Sequence, residues 1–118
     1  MLQQFTIENF LSFKDREVFK LQPGKGSRNK MHKVEPVKGQ WILKSAALFG
    51  PNAGGKSNFV EALELGKRLV LLGTRAETLI EYHPFRLSSE CKNKDTTITY
   101  QILCNNKKYE YGLSLIHI

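Results

Sequence analysis

Cysteine is scarce in this chain: Cys91 and Cys104 are the only two. Two thiols build neither a disulfide framework nor a zinc site, so both read as ordinary thiols of a reducing cytoplasm. Long apolar runs are missing too. None approaches the ~20 residues of a membrane-spanning helix, which argues against membrane integration. The N-terminus, Met1-Leu2-Gln3-Gln4-Phe5, lacks the basic start and long apolar core of a signal peptide. Histidine is sparse, and His83 beside Pro84 stands in no cluster, so it reads as structural or exposed rather than as a ligand or base. No Ser-His-Asp or Cys-His arrangement can be argued from the spacings. Internal repeats and low-complexity tracts are absent as well.

What is present suits one modest core. The chain has 118 residues, 41% hydrophobic and 25% charged, ordinary values for a globular protein. Net charge is +7, from 18 Lys and Arg against 11 Asp and Glu. The excess lies mostly in residues 1–44, which hold nine basic and four acidic side chains. Such a skew suits nucleic-acid contact or a solvated, solubilising loop, and the loop is the preferred reading.

The stretch the chain is organised around is 45–72. Ser45-Ala46-Ala47-Leu48-Phe49 is short and apolar on both sides, as a central strand covered on both faces would be. Gly50-Pro51-Asn52-Ala53-Gly54-Gly55-Lys56-Ser57 follows and fits the phosphate-binding template of Gly, four residues, Gly-Lys-Ser. Bound phosphates need backbone N–H groups aimed inward, and Gly50, Gly54 and Gly55 free the chain to aim them. The N–H groups of residues 52–57 would form an anion nest at a helix start, favoured by the helix dipole. Lys56 would reach the β- and γ-phosphates, and the Ser57 hydroxyl would hold Mg²⁺. Asn52, Ala53 and Asn58 complete the candidate contacts. The next helix should run from about Lys56 to Leu72, with Phe59, Ala62, Leu63, Leu69, Val70 and Leu72 on one stripe. Glu64 and Arg68 suit an i,i+4 pair, Gly66 suits close packing, and Gly73 is a stop.

Elsewhere, Leu2 to Asn9 alternates, with Phe5 and Ile7 on one face and Gln4 and Thr6 on the other, as in a half-buried strand. Residues 9–15 read as a turn and Arg16 to Leu21 as a second strand, giving an antiparallel hairpin. Pro23, Gly24, Gly26, Ser27, Asn29, Pro36 and Gly39 punctuate residues 22–40, so regular structure is not expected over most of that basic, mobile segment. Trp41 to Lys44 resumes an apolar pattern. Residues 78–85 read as a helix tail or an extended segment limited by Pro84, and 88–95 as a polar loop. Thr96 to Cys104 alternates, Asn105-Asn106-Lys107-Lys108 is a turn signal, and Tyr109-Glu110-Tyr111 begins a return strand. Tyr82, Tyr100, Tyr109 and Tyr111 suit sheet packing better than base stacking. Leu113-Ser114-Leu115-Ile116-His117-Ile118 resembles the translation of a transposon-end adaptor, which would make 113–118 a processing scar.

Two motifs together carry a family resemblance. Ile7-Glu8-Asn9-Phe10-Leu11-Ser12-Phe13 and Phe49-Gly50-Pro51-Asn52-Ala53-Gly54-Gly55-Lys56-Ser57-Asn58 resemble the start of a bacterial AAA-family ATPase. More closely, they look like the ATP-binding-cassette-type heads of RecF, the SMC proteins, the overcoming-lysogenisation-defect nucleases and the abortive-infection ATPases. Tyr82-His83-Pro84-Phe85-Arg86-Leu87 and Tyr109-Glu110-Tyr111-Gly112 resemble the abortive-infection branch. The implied fold class is α/β, a P-loop NTPase head of which residues 1–112 are the N-terminal part. The implied order is a β-rich lead, the P-loop, one long helix and a β-hairpin. The resemblance also implies ATP and Mg²⁺ as ligands, Lys56 as the catalytic lysine and a second head, in a homodimer, as partner. DNA and an effector nuclease are further candidate partners. In such heads the turn after the first strand approaches the nucleotide, which adds Ser12, Phe13 and Lys14 to the candidate contacts. Gly54 departs from the Ser that many relatives carry.

The expected function is therefore ATP binding and, in a longer protein, Mg²⁺-dependent hydrolysis driving a DNA-repair or phage-defence machine. No apolar strand after residue 96 ends in the acidic Mg²⁺-holding residue of such an ATPase, so this chain alone is expected to be inactive. Two alternatives are another P-loop enzyme, such as a kinase or GTPase, and a non-enzymatic basic module that binds nucleic acid. The long β-rich lead of 1–44 argues against the first. DNA binding that survives loss of Lys56 would favour the second.

Overall fold

The computed structural model describes residues 1–26, 28–75, 77 and 79–116. Thr78, His117 and Ile118, named above in an extended segment and in the terminal scar, lie outside the described residues. The fold is mixed α/β, and the described residues form one α-helix and two antiparallel sheets. Strand β1 (Leu2–Glu8) pairs along one edge with β2 (Glu17–Lys20), with Phe5 opposite Phe19. Along its other edge it pairs with β5 (Thr96–Cys104), with Phe5 opposite Tyr100 and Ile7 opposite Ile98. Strand β6 (Lys107–Leu115) closes the order β2-β1-β5-β6. The β1–β2 and β5–β6 hairpins are those that the alternating pattern predicts.

The β5–β6 turn is set by its residues. Cys104 pairs with Lys107, so the loop is Asn105-Asn106, and both have positive φ, 50° and 60°. Two left-handed residues match the twist of the flanking strands, and asparagine tolerates that region better than most. Strand β6 runs on past Gly112, and Leu113 and Leu115 pack on the core.

Helix α1 (Lys56–Leu72) has the predicted bounds, and the Gly73 N–H closes it on the Leu69 carbonyl at 3.1 Å. Its buried face is Ala62, Leu65 and Gly66, which meets Phe5, Ile7, Phe10, Ile98 and Tyr100 of the sheet side. Phe59 adds edge-on ring contacts with Phe5 and Phe19, at centroid distances of 5.6 and 5.0 Å. Fully burying a ring such as Phe5 contributes roughly 1.5–3 kcal/mol. Val70 and Leu72 do not join this face and stay exposed. Of the stripe predicted from sequence, Phe59, Ala62, Leu63 and Leu69 pack on this core, Leu65 joins them, and Val70 and Leu72 lie off it. Arg68 pairs with Glu81 at 3.9 Å rather than with Glu64.

Two further expectations are corrected. Residues 45–49 form no strand, and Phe49 is 93% exposed. A central strand needs ladder partners on both edges, and residues 45–49 pair with none of the strands. The basic segment also carries more order than its punctuation suggests. Its second half forms β3 (Lys33–Val37), which pairs with β4 (Gln40–Leu43) in a second small sheet. Val37 opposite Gln40 leaves Lys38-Gly39 as a two-residue turn, with Gly39 at φ 79° and its N–H bonded to the Glu35 carboxylate. Pro36 falls where the register shifts, a position that costs no ladder bond. Val34 opposite the buried Ile42 holds the pair.

Candidate functional site

The candidate site grows from a buried asparagine outward. Asn9 ends β1 with φ 51°, which turns the chain sharply into residues 10–13. Its Nδ2 donates to the carbonyls of Cys91 at 2.9 Å and Lys94 at 2.6 Å, and its Oδ1 accepts from the Phe85 N–H at 3.0 Å. The Thr96 hydroxyl donates to the Asn9 carbonyl. Leu11 N–H donates to the His83 carbonyl at 2.8 Å, and Tyr82 Oη to the Lys94 carbonyl at 2.7 Å. Two stretches far apart in sequence, 9–13 and 82–85, are thus laced together. The Glu8 carboxylate, hydrogen-bonded to Lys94, holds that ammonium above its ordinary value. The His83 ring lies edge-on to Phe10 and 3.5 Å from the Glu81 carboxylate.

The turn so fixed is closed by a reciprocal pair of bonds between Phe10 and Phe13, at 2.9 and 2.8 Å. It delivers Ser12 to the 50–57 loop. The Ser12 hydroxyl accepts from Asn58 Nδ2 at 3.0 Å, and a Cβ placed on Gly55 would lie 3.1 Å from Ser12 Oγ. Gly55 has φ 91°, so both its backbone angle and its neighbour demand glycine. Phe13 lies 6.5 Å from the Phe59 ring, and the two help line a cavity of about 340 Å³ with Phe19, Phe49, Gly55 and Lys56. Lys14 is exposed and makes no hydrogen bond or ion pair among the described residues.

Within the loop, the Gly54 N–H donates to the Pro51 carbonyl at 3.1 Å, closing a tight turn over Asn52 and Ala53. Ala53 takes φ 62°. A Cβ on Gly54 would lie 2.9 Å from that same carbonyl, so even a small side chain there would disturb this turn. Lys56 folds back across the loop, and its ammonium donates to the carbonyls of Gly50 at 2.7 Å and Pro51 at 2.6 Å. Asn52, Ala53 and Ser57 are exposed. Gly55 caps α1 without any side-chain hydrogen bond, and the first turn carries no acidic residue. The first N–H groups of α1 therefore have no side chain competing for them, and the helix dipole there favours an anion.

Of the sequence candidates, the structure gathers Ser12, Phe13, Gly50, Gly54, Gly55, Lys56 and Asn58 around one loop and leaves Lys14 apart. Ser57 faces a second cleft, of about 370 Å³, which also includes Glu61, Glu64, Arg68, Glu81 and His83. Asn9 was not among the candidates. Its only sequence signal is that an asparagine at a strand end tolerates left-handed geometry. Phe19 and Phe59 were read only as apolar. No protein-family model matches the chain, and no curated protein matches it.

Proposed function

We propose that this chain is the nucleotide-binding part of a P-loop ATPase of the ATP-binding-cassette head type. In this reading the 50–57 loop takes the phosphates of ATP. The observation that supports it is the Lys56 ammonium, held on two loop carbonyls at the mouth of a glycine-rich turn that runs straight into an uncapped helix N-terminus. Lys56 is a cation resting on neutral acceptors. Exchanging carbonyl oxygens for phosphate oxygens turns its hydrogen bonds into charge-assisted pairs, roughly twice as strong.

The donor set fits a polyphosphate. The amides at the start of α1 supply fixed dipoles, and Lys56 supplies full charge. Ser57 is the exposed hydroxyl for Mg²⁺, a hard cation that takes oxygen ligands. Ser12, tied to Asn58, holds the turn against Gly55. Bound MgATP would supply the reactive γ-phosphoryl group, whose transfer depends chiefly on positioning and charge stabilisation.

The test is binding of a fluorescent ATP analogue to residues 1–118 with Mg²⁺ present. Binding that falls at least about tenfold in Lys56→Ala is the expected result, since charged hydrogen bonds contribute ~1.5–3 kcal/mol. Equal binding by the two proteins would overturn the reading.

A further inference from the structure

We propose that a second pocket, between the start of β1 and the β3–β4 hairpin, seats a nucleotide unit of single-stranded nucleic acid. The pocket has a volume of about 550 Å³, and its chemistry comes from Gln3, Gln22, Gln40, Lys33, Trp41 and Lys108. It lies apart from the 50–57 loop and shares no lining residue with the cavity there.

Gln3 is the observation that asks for a ligand. It is only 4% exposed, and its Oε1 is buried without a hydrogen-bond partner. Its Nε2 donates to Gln40 Oε1 at 3.4 Å, which fixes the amide and leaves the oxygen as the orphan. A buried acceptor without a donor carries a desolvation penalty of ~1–3 kcal/mol that a bound N–H group would relieve. The exocyclic amino group of cytosine, adenine or guanine is such a donor.

The other walls match the rest of a nucleotide. Trp41 is 42% exposed, and the Lys33 ammonium lies 5.6 Å from its ring centroid. A base laid on the open part of the indole would bring its phosphate within reach of that cation. Among the described residues, the Lys33 ammonium otherwise donates only to the Gly26 carbonyl, at 3.0 Å. Neither Lys33 nor Lys108 has a carboxylate partner among the described residues. Lys25, Lys30 and Lys38 are exposed on the same basic segment and extend the positive field along a strand. The base must be unstacked, because a duplex hides its ring face. The skew of charge toward residues 1–44 gains a use here beyond solubility.

Trp41 is the sole tryptophan, so its emission reports directly on the pocket. The experiment titrates the 118-residue chain with oligo-dC and oligo-dT of about twelve nucleotides, at low and raised salt. Expected are a change in Trp41 emission, affinity that falls with salt, and tighter binding of oligo-dC, because thymine has no exocyclic amino group. Gln3→Leu should erase the preference for dC. Lys33→Ala and Lys108→Ala should each reduce the salt slope by about 1. Lys56→Ala should change none of this, which separates the pocket from the phosphate loop. Should Gln3→Leu fail to fold, the dC-to-dT comparison on the unaltered chain and the exposed Lys108 variant decide alone. Unchanged emission at low salt, equal binding of dC and dT, or dCMP binding as tightly as oligo-dC would each overturn the proposal.

Discussion

Tyr100 Oη stands almost where position 66 would place a side chain: a Cβ built on Gly66 comes within 2.1 Å of it. The same hydroxyl donates to the Leu63 carbonyl at 3.0 Å, so the tyrosine is pinned against the helix. Alanine normally gains up to ~1 kcal/mol over glycine inside a helix. Here overpacking costs ~1–3 kcal/mol and should win. Gly66→Ala is expected to lower the midpoint of thermal unfolding by roughly 5 °C or more. Adding Tyr100→Phe removes the nearest atom, so the double variant should lose less than the two single losses together. A midpoint equal to or above wild type in Gly66→Ala would refute this packing.

Tyr100 also carries a pH signature. Burial pushes its phenol up to about 12 from an ordinary 10, against a smaller opposing effect of the Lys67 backbone. The folded state thus holds the proton more tightly than the unfolded state. The resulting stability is fully present below pH 10 and is lost as pH rises from about 10 to about 12. Denaturant unfolding at pH 8 and pH 11 should show a loss of order 1 kcal/mol that Tyr100→Phe does not share. Parallel losses in the two proteins would sink the idea.

Asn9 joins three segments through one amide: its own turn, Phe85 and residues 91–94. Asn9→Ala would take the partner from the Phe85 N–H and would put alanine at φ 51°, while the Lys94 carbonyl keeps Tyr82 Oη and the Cys91 carbonyl keeps the Lys94 N–H. Removing the partner of a buried polar group costs ~1–3 kcal/mol. A loss of ~1–3 kcal/mol in urea unfolding is expected. The ATP analogue should also bind more weakly, because the turn carrying Ser12 is hung from Asn9. Wild-type stability in Asn9→Ala would contradict this role.

Turnover is a separate matter from binding. In the proposed reading Lys56 and Ser57 hold phosphates and one metal contact, which is ground-state binding. Hydrolysis also needs an oriented water and stabilisation of the charge that develops as the γ-phosphate leaves. Among the described residues, no carboxylate is hydrogen-bonded to Lys56 or Ser57. Purified residues 1–118 should bind MgATP weakly and release no phosphate above the level of Lys56→Ala. Multiple turnover that depends on Lys56 would overturn this expectation.

Local signals and distant ones separate clearly in this chain. Strands β1, β2 and β5 were legible because alternation is a local pattern, and α1 because a glycine stop and an apolar face bracket it. The turn at 50–55 and the start of α1 were legible because glycines at fixed spacing precede an apolar helical stripe. Ser12, which the resemblance puts near the loop, is hydrogen-bonded to Asn58, whereas Lys14 makes no hydrogen bond or ion pair among the described residues. Strand β3 was hidden by Pro36 and by lysines that mask Val34 and Val37. The reading of 45–49 as a strand failed because apolar composition does not reveal whether a sheet edge is free to receive it. Asn9 was missed for the opposite reason: its partners Phe85, Cys91 and Lys94 lie some 76 to 85 positions away.

The two cysteines turn the Asn9 junction into something a reagent can time. Cys104 is exposed at the end of β5, whereas Cys91 is 3% exposed beside the carbonyl that Asn9 holds. A thiol-specific reagent should label Cys104 at once and Cys91 only when the junction opens. The slow phase is therefore a clock for local opening around Asn9, read without any added probe. In Cys104→Ser that clock runs alone. Its rate should quicken in Asn9→Ala and stay unchanged in Lys56→Ala.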